Sequence, residues 1–315
     1  MVARTIEPSE GGANKVGYKS VIDFGRSARV EYPHTLGDYP TKIFPGTARV
    51  FIERFSQPLD TVLDPFCGGG TFAVEADREG RNTINFDVNP SAVSLTRLKL
   101  KSARATLMPF GTHESAAERT TNRVEVGDCS HLPLESESID AVVTDIPYGD
   151  MIRYSDLEED LSTEPDYEKF LLRLEDCFKE VTRVTKKGKY CVVFVCDYRI
   201  GAARMIRPIH SDLTWFMLRK LGWMLFDTYI WRYYRSGGFR PFGRKPFQAM
   251  NLHSYILVFY KPRGDEDLLR RNRPVRYRPR LLEKQDALKS NMALKVKRLE
   301  EVTTLAETHR SQTSN

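Results

Sequence analysis

From Thr61 onward, short apolar runs alternate with stretches of helical periodicity, and this alternation restricts the possible folds more than any other feature. Such alternation is typical of βαβ units, which place parallel strands in one sheet with helices on both faces. The last two apolar runs have no helical pattern between them, so we expect them to form an antiparallel hairpin at the edge of the sheet. The predicted strands are 61–65, 82–87, 122–126, 139–144, 189–196, 224–231 and 253–260, and the predicted helices are 71–79, 90–104, 167–184 and 210–221. A further helix is predicted to begin near Pro45, with Ala48, Phe51, Ile52 and Phe55 on one face.

Composition excludes several classes of protein. With 315 residues, 41% of them hydrophobic and 29% charged, the chain can bury a core and is not disordered throughout. No apolar run approaches the roughly 18 residues that span a bilayer, and the N-terminus lacks the apolar region of a signal peptide. We therefore expect a cytoplasmic protein. The five cysteines form no C-x-x-C pair, so neither a metal site nor a disulfide framework is predicted.

Charge divides the chain into three predicted segments. Residues 1–30 are polar and glycine-rich and are expected to be flexible, and residues 31–261 form the expected catalytic domain. Residues 262–315 carry 13 basic and 8 acidic side chains and supply most of the net charge of +6. A basic extension on a nearly neutral body suggests a polyanionic partner, although a solvated tail would have the same distribution of charge.

A glycine loop follows the first strand of the alternating region. Residues 61–71 read Thr-Val-Leu-Asp-Pro-Phe-Cys-Gly-Gly-Gly-Thr, a strand that runs through three glycines into a helix. Glycines at the carboxyl edge of a parallel sheet let the backbone approach a ligand closely. The next strand ends at Asp87, and an acid in that place can accept both hydroxyls of a ribose.

The Asp-Pro-Phe-x-Gly-x-Gly-Thr sequence resembles the first motif of S-adenosylmethionine-dependent methyltransferases that act on exocyclic amino groups of nucleic acids. In that family the loop surrounds the methionine part of the cofactor, and the later acids hold the ribose and approach the adenine. The resemblance implies S-adenosylmethionine as cofactor and a set of cofactor-binding residues, which are Asp64, Phe66, Gly68, Gly70, Thr71, Asp87 and Asp128.

A second corner ends the strand 139–144, where Asp145-Ile146-Pro147-Tyr148 follows. An exocyclic amino nitrogen of a base is a poor nucleophile, because its lone pair is delocalised into the ring. A carboxylate from Asp145 and the carbonyl of Ile146 would accept its hydrogens and free that pair, and Tyr148 would stack on a base taken out of the helix.

This corner resembles the [Asp/Asn/Ser]-Pro-Pro-[Tyr/Phe/Trp] signature of N6-adenine and N4-cytosine methyltransferases, with Ile146 in place of the first proline. Residues 32–45 and 253–261 also resemble segments of N4-cytosine enzymes, so the resemblance spans residues 32–261. It implies a Rossmann-like class I methyltransferase with a mostly parallel seven-stranded sheet and an antiparallel C-terminal hairpin. Asp145, Ile146, Pro147 and Tyr148 are the implied catalytic residues. Methylation at cytosine C5 is excluded, because that chemistry places its cysteine after a proline and the chain has no Pro-Cys.

The loop between the last two strands combines basic and aromatic side chains without an acid. Cations that contact phosphates and rings that stack on bases are what a nucleic-acid groove requires. The predicted nucleic-acid-binding residues are Arg232, Arg235, Phe239, Arg240, Arg244 and Lys245.

Three functions stay open at this stage. The leading one is a DNA amino-methyltransferase, with cytosine N4 favoured over adenine N6 and with a partner restriction nuclease as a possibility. The second is an amino-methyltransferase for bases of rRNA or tRNA, and the third is a catalytically silent nucleic-acid-binding protein of the same fold.

Overall fold

The computed structural model describes residues 20–23, 30–40, 43–107, 120–200, 205–232 and 253–264. The strands are β1 (Val21–Asp23), β2 (Thr61–Asp64), β3 (Asn82–Asp87), β4 (Asn122–Val126), β5 (Ile139–Asp145), β6 (Thr185–Val195), β7 (Tyr198–Ile200), β8 (Met205–Arg207), β9 (Met224–Arg232) and β10 (His253–Tyr260). The α-helices are α1 (Pro45–Phe55), α2 (Thr71–Arg78), α3 (Pro90–Leu107), α4 (Tyr167–Val184) and α5 (Ile209–Arg219). Two short 3-10 helices, Gly149–Met151 and Leu161–Thr163, lie between β5 and α4.

Eight strands form one sheet in the order β1-β9-β10-β6-β5-β2-β3-β4. β10 is antiparallel to both of its neighbours, while the pairs from β6 to β4 are parallel. From β2 the chain continues to β3 and β4 on one side of the sheet. From β5 it continues to β6 on the other side. Loops at the carboxyl ends of these adjacent strands therefore border the crevice where open α/β sheets bind ligands.

Alternate side chains of the central strand β5 enter two hydrophobic cores. Ala141 and Val143 face α1 and its aromatic residues, whereas Val142 faces the core that contains α4 and α5. Helix α1 buries the face expected from its sequence, and Pro45 occupies its first turn. Helix α4 is capped by Asp166, whose side chain accepts hydrogen bonds from the amides of Glu168 and Lys169. The mostly parallel sheet with helices on both faces confirms the predicted fold class.

The structure also differs from the sequence prediction in several elements. Val21–Asp23 lies in the segment expected to be flexible, yet it pairs in parallel with β9 and makes eight strands instead of seven. The small antiparallel pair β7–β8 was not predicted either. Three-residue strands leave too short an alternation to read from a sequence. No helix among the described residues is long and apolar enough to cross a membrane.

Candidate active site

The glycine loop is held from behind by helix α3. Thr96 donates a hydrogen bond to the carbonyl of Gly68 at 3.0 Å, and the Lys99 ammonium donates to the carbonyl of Gly69 at 2.7 Å. Gly70 caps α2 with φ of 76°, and a Cβ there would lie 2.6 Å from Thr96 Oγ1. The tight loop therefore needs glycine at position 70, because both the backbone angle and the close approach of Thr96 exclude a side chain.

Asp87 closes the loop at the end of β3. Its carboxylate accepts from the amide of Gly68 at 2.8 Å and from the amide of Asn89 at 2.9 Å. Burial raises the pKa of Asp87 from 3.8 to about 6, and these two hydrogen bonds act in the opposite direction. The predicted ribose acceptor thus also fixes the loop that it faces.

Asp64 lies beneath the loop and is 1% exposed. One carboxyl oxygen accepts from Thr144 at 2.7 Å and from the amide of Phe66 at 3.2 Å. Within the described residues, the other oxygen, Oδ2, is buried without a hydrogen-bond partner. Burial raises the pKa of Asp64 from 3.8 to about 8. Without cofactor this carboxyl is therefore protonated at neutral pH, and a cation such as the α-ammonium group of S-adenosylmethionine would favour its ionised form and supply a donor for Oδ2.

The Asp-Ile-Pro-Tyr corner follows β5, the strand next to β2. Asp145 is partly buried and accepts a hydrogen bond from the Tyr148 hydroxyl at 2.5 Å. Burial raises the pKa of Asp145 from 3.8 to about 7, while the bond from Tyr148 lowers it. Ile146 is 1% exposed, and its amide donates to the carbonyl of Phe194 at 3.3 Å. The backbone of the corner is thus bonded to β6, and the Tyr148 hydroxyl holds Asp145 within the corner.

Tyr148 contributes to the hydrophobic core as well as to the corner. Its side chain is only 9% exposed and belongs to the hydrophobic core on the α4 side of the sheet. In this conformation the ring packs against protein and its hydroxyl orients Asp145. The predicted stacking of Tyr148 on a base stays a prediction.

A single cavity brings the two corners together. Seven predicted residues line it: Phe66, Gly68, Thr71, Asp87, Asp128, Asp145 and Pro147. The other four predicted cofactor-binding or catalytic residues, Asp64, Gly70, Ile146 and Tyr148, are not among its lining residues. Asp128 accepts a hydrogen bond from the amide of Ser130 at 2.8 Å. The glycine loop and the catalytic corner therefore line the same cavity.

Two tyrosines that sequence reasoning did not place in the site also line this cavity. The rings of Tyr39 and Tyr154 stack with centroids 5.7 Å apart and an interplanar angle of 17°. Tyr39 lies against the glycine loop, since Cβ atoms on Gly68 and Gly69 would be 2.9 and 3.3 Å from it. Tyr39 belongs to residues 32–45, the segment that resembles part of the N4-cytosine enzymes. Tyr154 carried no signal beyond its place after the catalytic corner.

The predicted nucleic-acid-binding loop lies mostly outside the described residues. Arg232 ends β9 opposite His253 of β10, whereas Arg235, Phe239, Arg240, Arg244 and Lys245 are not described. The predicted loop contact with nucleic acid thus stays a prediction. In the part of the chain that is described, no cluster of His, Cys, Asp or Glu is arranged to hold a metal ion.

The strand order, the glycine loop and the acidic corner at the switch point define a Rossmann-like class I methyltransferase. The family model described as DNA methylase matches residues 139–310, and the model described as RMKL-like, methyltransferase domain, matches residues 39–206. Each model covers more than half of the chain. The chain belongs to the S-adenosylmethionine-dependent amino-methyltransferase family, and its cofactor is S-adenosylmethionine.

Three curated relatives illustrate the range of substrates in this family. A probable tRNA (guanine(10)-N2)-dimethyltransferase of Methanothermococcus thermolithotrophicus is 34% identical over 162 residues, which cover 49% of this chain and 84% of that protein. The tRNA (guanine(6)-N(2))-methyltransferase THUMP3 of Bos taurus is 31% identical over 30% of this chain and 18% of its own length. The type II methyltransferase M.MjaII of Methanocaldococcus jannaschii is 28% identical over 28% of this chain and 17% of its own length. This chain thus spans less than a fifth of the last two relatives.

Proposed function

We propose that the protein transfers a methyl group from S-adenosylmethionine to the exocyclic amino group of a base in DNA, with cytosine N4 ahead of adenine N6. The observation that carries this proposal is the position of Asp145. Its carboxylate lines the cavity formed by the glycine loop, one strand away, and is oriented by Tyr148. The DNA methylase model supports DNA, because its match runs from β5 through both hairpin strands and the basic extension.

The residues of the corner account for activation of the amine. Asp145 accepts a hydrogen of the amino group, which localises the nitrogen lone pair and directs it toward the cofactor side of the cavity. The cofactor supplies an electrophilic sulfonium methyl group. As the nitrogen gains the methyl group it becomes positively charged, so the interaction with the Asp145 carboxylate strengthens toward the transition state. A pKa of about 7 also lets Asp145 take up the proton that the nitrogen then releases.

The glycine loop and the wall of the cavity account for the positioning of the cofactor. We assign Asp87, which lines the cavity, to the ribose hydroxyls, and Asp64, which lies beneath the loop, to electrostatic stabilisation of the cofactor ammonium group. Positioning of the two reactants contributes much of the rate in a displacement of this kind. A base within duplex DNA cannot reach such a cavity, so the target base must be taken out of the stack.

RNA is the second candidate substrate. The observation that favours it is the relative from Methanothermococcus thermolithotrophicus, because this chain covers 84% of a protein named as a probable tRNA methyltransferase. In that case the accepting nitrogen would be N2 of guanine, which the same carboxylate chemistry serves.

One assay separates these candidates. Purified protein is incubated with radiolabelled S-adenosylmethionine and either duplex DNA or total RNA, and the labelled nucleoside is identified after digestion. We expect label in DNA as N4-methylcytosine, and label only in RNA would replace the DNA proposal with the RNA one. Asp145→Ala should reduce kcat by about 10²–10³-fold, the usual cost of removing one such electrostatic group. An Asp145→Ala variant that turns over at the wild-type rate would remove this corner from the mechanism.

A further inference from the structure

The turn that follows the catalytic corner is fixed at its far end by a cluster of three side chains. Tyr198 donates to Asp150 Oδ1 at 2.7 Å, and Arg207 donates both to the same oxygen and to the Tyr198 hydroxyl, each at 2.7 Å. We call Asp150, Tyr198 and Arg207 the turn clamp. It joins the pair β7–β8 to the residues directly after Tyr148.

Arg207 is committed to this cluster on both of its terminal nitrogens. One nitrogen makes the two bonds above, and the other donates to the carbonyl of Pro165 at 3.1 Å. The guanidinium carbon lies 5.0 Å from the ring centroid of Tyr167 and 5.7 Å from that of Tyr198, and the side chain is 15% exposed. A guanidinium satisfied in this way is placed to hold protein structure and not to bind phosphate.

The turn itself packs closely against the clamp. Gly149 has φ of 59°, and a Cβ on it would lie 2.6 Å from the Tyr198 hydroxyl. On the other side of the turn, Tyr148 donates to Asp145. At each end of the segment from Asp145 to Asp150, a tyrosine hydroxyl therefore donates a hydrogen bond to a carboxylate.

We infer that the turn clamp replaces the rigidity that a second proline would give the catalytic corner, and that Tyr198 and Arg207 are positioning residues for methyl transfer. The related signature has two prolines, whereas this chain has Ile146 at the first of them. A proline would fix φ covalently, whereas here the φ of Ile146 is restrained by its packing and by the hydrogen bond from its amide to Phe194. Tyr198 and Arg207, which bond Asp150, restrict the same segment from its C-terminal end. This inference rests on the proposed function, since it concerns the geometry in which Asp145 meets the amino group.

The test compares three variants of the full chain on the nucleic acid that the wild type methylates. Arg207→Ala removes the guanidinium, Tyr198→Phe removes one donor to Asp150, and Arg183→Ala is the matched control. Arg183 also bonds a carboxylate and two carbonyls, but it lies at the opposite end of β5. We expect kcat of Arg207→Ala to fall by about 10–100-fold, because a misplacement of roughly 1 Å costs that much. The KM for S-adenosylmethionine should stay near the wild-type value.

Chemical rescue separates positioning from a general loss of structure. Millimolar guanidinium, far below a denaturing concentration, should restore several-fold of the lost kcat in Arg207→Ala and none in Tyr198→Phe, which keeps its own guanidinium. The proposal is overturned if Arg207→Ala retains kcat, if guanidinium gives no rescue, or if Arg183→Ala loses kcat to the same extent.

A second measurement needs no substrate and so distinguishes failure of this inference from failure of the proposed function. Amide hydrogen exchange over residues 146–152 should be faster in Arg207→Ala than in wild type and Arg183→Ala, and guanidinium should slow it again. Unchanged exchange would refute the clamp even if the wild type methylated no nucleic acid. Absence of methyl transfer by the wild type would instead refute the proposed function alone.

Discussion

The carboxylate of Asp145 must be ionised to accept an amine hydrogen, and yet it is buried. Burial raises its pKa to about 7, whereas the pKa values of Asp87 and Asp64 rise to about 6 and about 8. All three acids line or underlie one cavity. The three carboxyl groups therefore change protonation between about pH 6 and pH 8.

The first prediction concerns the pH dependence of catalysis. Asp145 is uncharged below its pKa, so kcat should fall about tenfold for each pH unit below about 7 and level off above it. The measurement is kcat from pH 5.5 to 9 at saturating cofactor and nucleic acid. Asp145→Asn should lack this acid limb and show low activity at every pH. A wild-type profile that is flat between pH 5.5 and 7 would contradict the role of Asp145.

The second prediction concerns Asp64 and stability. Its folded pKa of about 8 exceeds the ordinary 3.8, so the folded state binds this proton more tightly than the unfolded state does. The resulting stabilisation is complete below about pH 4 and is lost as pH rises through 8. Asp64→Asn should therefore unfold less readily than wild type above pH 8, by about 1–3 kcal/mol, and should bind S-adenosylmethionine more weakly.

Calorimetric melting of the protein without cofactor from pH 5 to 9 measures this effect. Asp166→Asn is the matched control, since Asp166 is an exposed cap of α4. Equal pH dependence of the melting temperature in wild type and Asp64→Asn would contradict the assignment of a buried, proton-binding carboxyl to Asp64.

At the scale of elements, α3 shapes the cofactor loop through Thr96 and Lys99, and this gives the third prediction. Gly70→Ala combines a left-handed backbone angle with a Cβ 2.6 Å from Thr96, whereas Gly222→Ala has φ of 74° and open space around it. The angle alone costs about 1–2 kcal/mol, and crowding adds about 1–3 kcal/mol. We expect Gly70→Ala to be the more destabilised in urea and to lose cofactor affinity, while Gly222→Ala keeps that affinity. Equal stability of the two variants would show that Thr96 yields to the added methyl group.

The elements that the sequence predicted are those with a local signal. β2 with its glycine loop, the face of α1 and the end of β5 were all readable, because periodicity and turn chemistry lie in consecutive residues. Tyr154 and Arg207 could not be placed, since their roles depend on partners 115 and 57 residues away in the chain, Tyr39 and Asp150. Long-range contacts of single side chains leave no pattern along a sequence.

At the scale of the whole molecule, the basic charge of residues 262–315 contrasts with the nearly neutral remainder of the chain. The fourth prediction is that removal of residues 265–315, which keeps every described residue in the chain, flattens the dependence of log K on log salt for nucleic-acid binding. Each lost phosphate contact should reduce the slope by about 0.9 on duplex DNA.

The control for that deletion exchanges Arg270, Arg271 and Arg273 for lysine, which keeps the charge and should keep the slope. Binding is measured by titration of a labelled duplex at several salt concentrations. An identical slope for the deleted and full-length proteins would mean that the extension is only solvated.

The pairing of β1 with β9 also bears on how copies of the protein behave at high concentration. A strand of nine residues with unpaired amides and carbonyls is a template for association with another chain, and natural proteins protect such borders with short strands. The three residues Val21–Asp23 cover part of β9 in this way, and the amide of Ile230 donates to the carbonyl of Ser20. Shortening the chain to begin at residue 31, as its composition invites, would uncover that border and favour aggregation through β9.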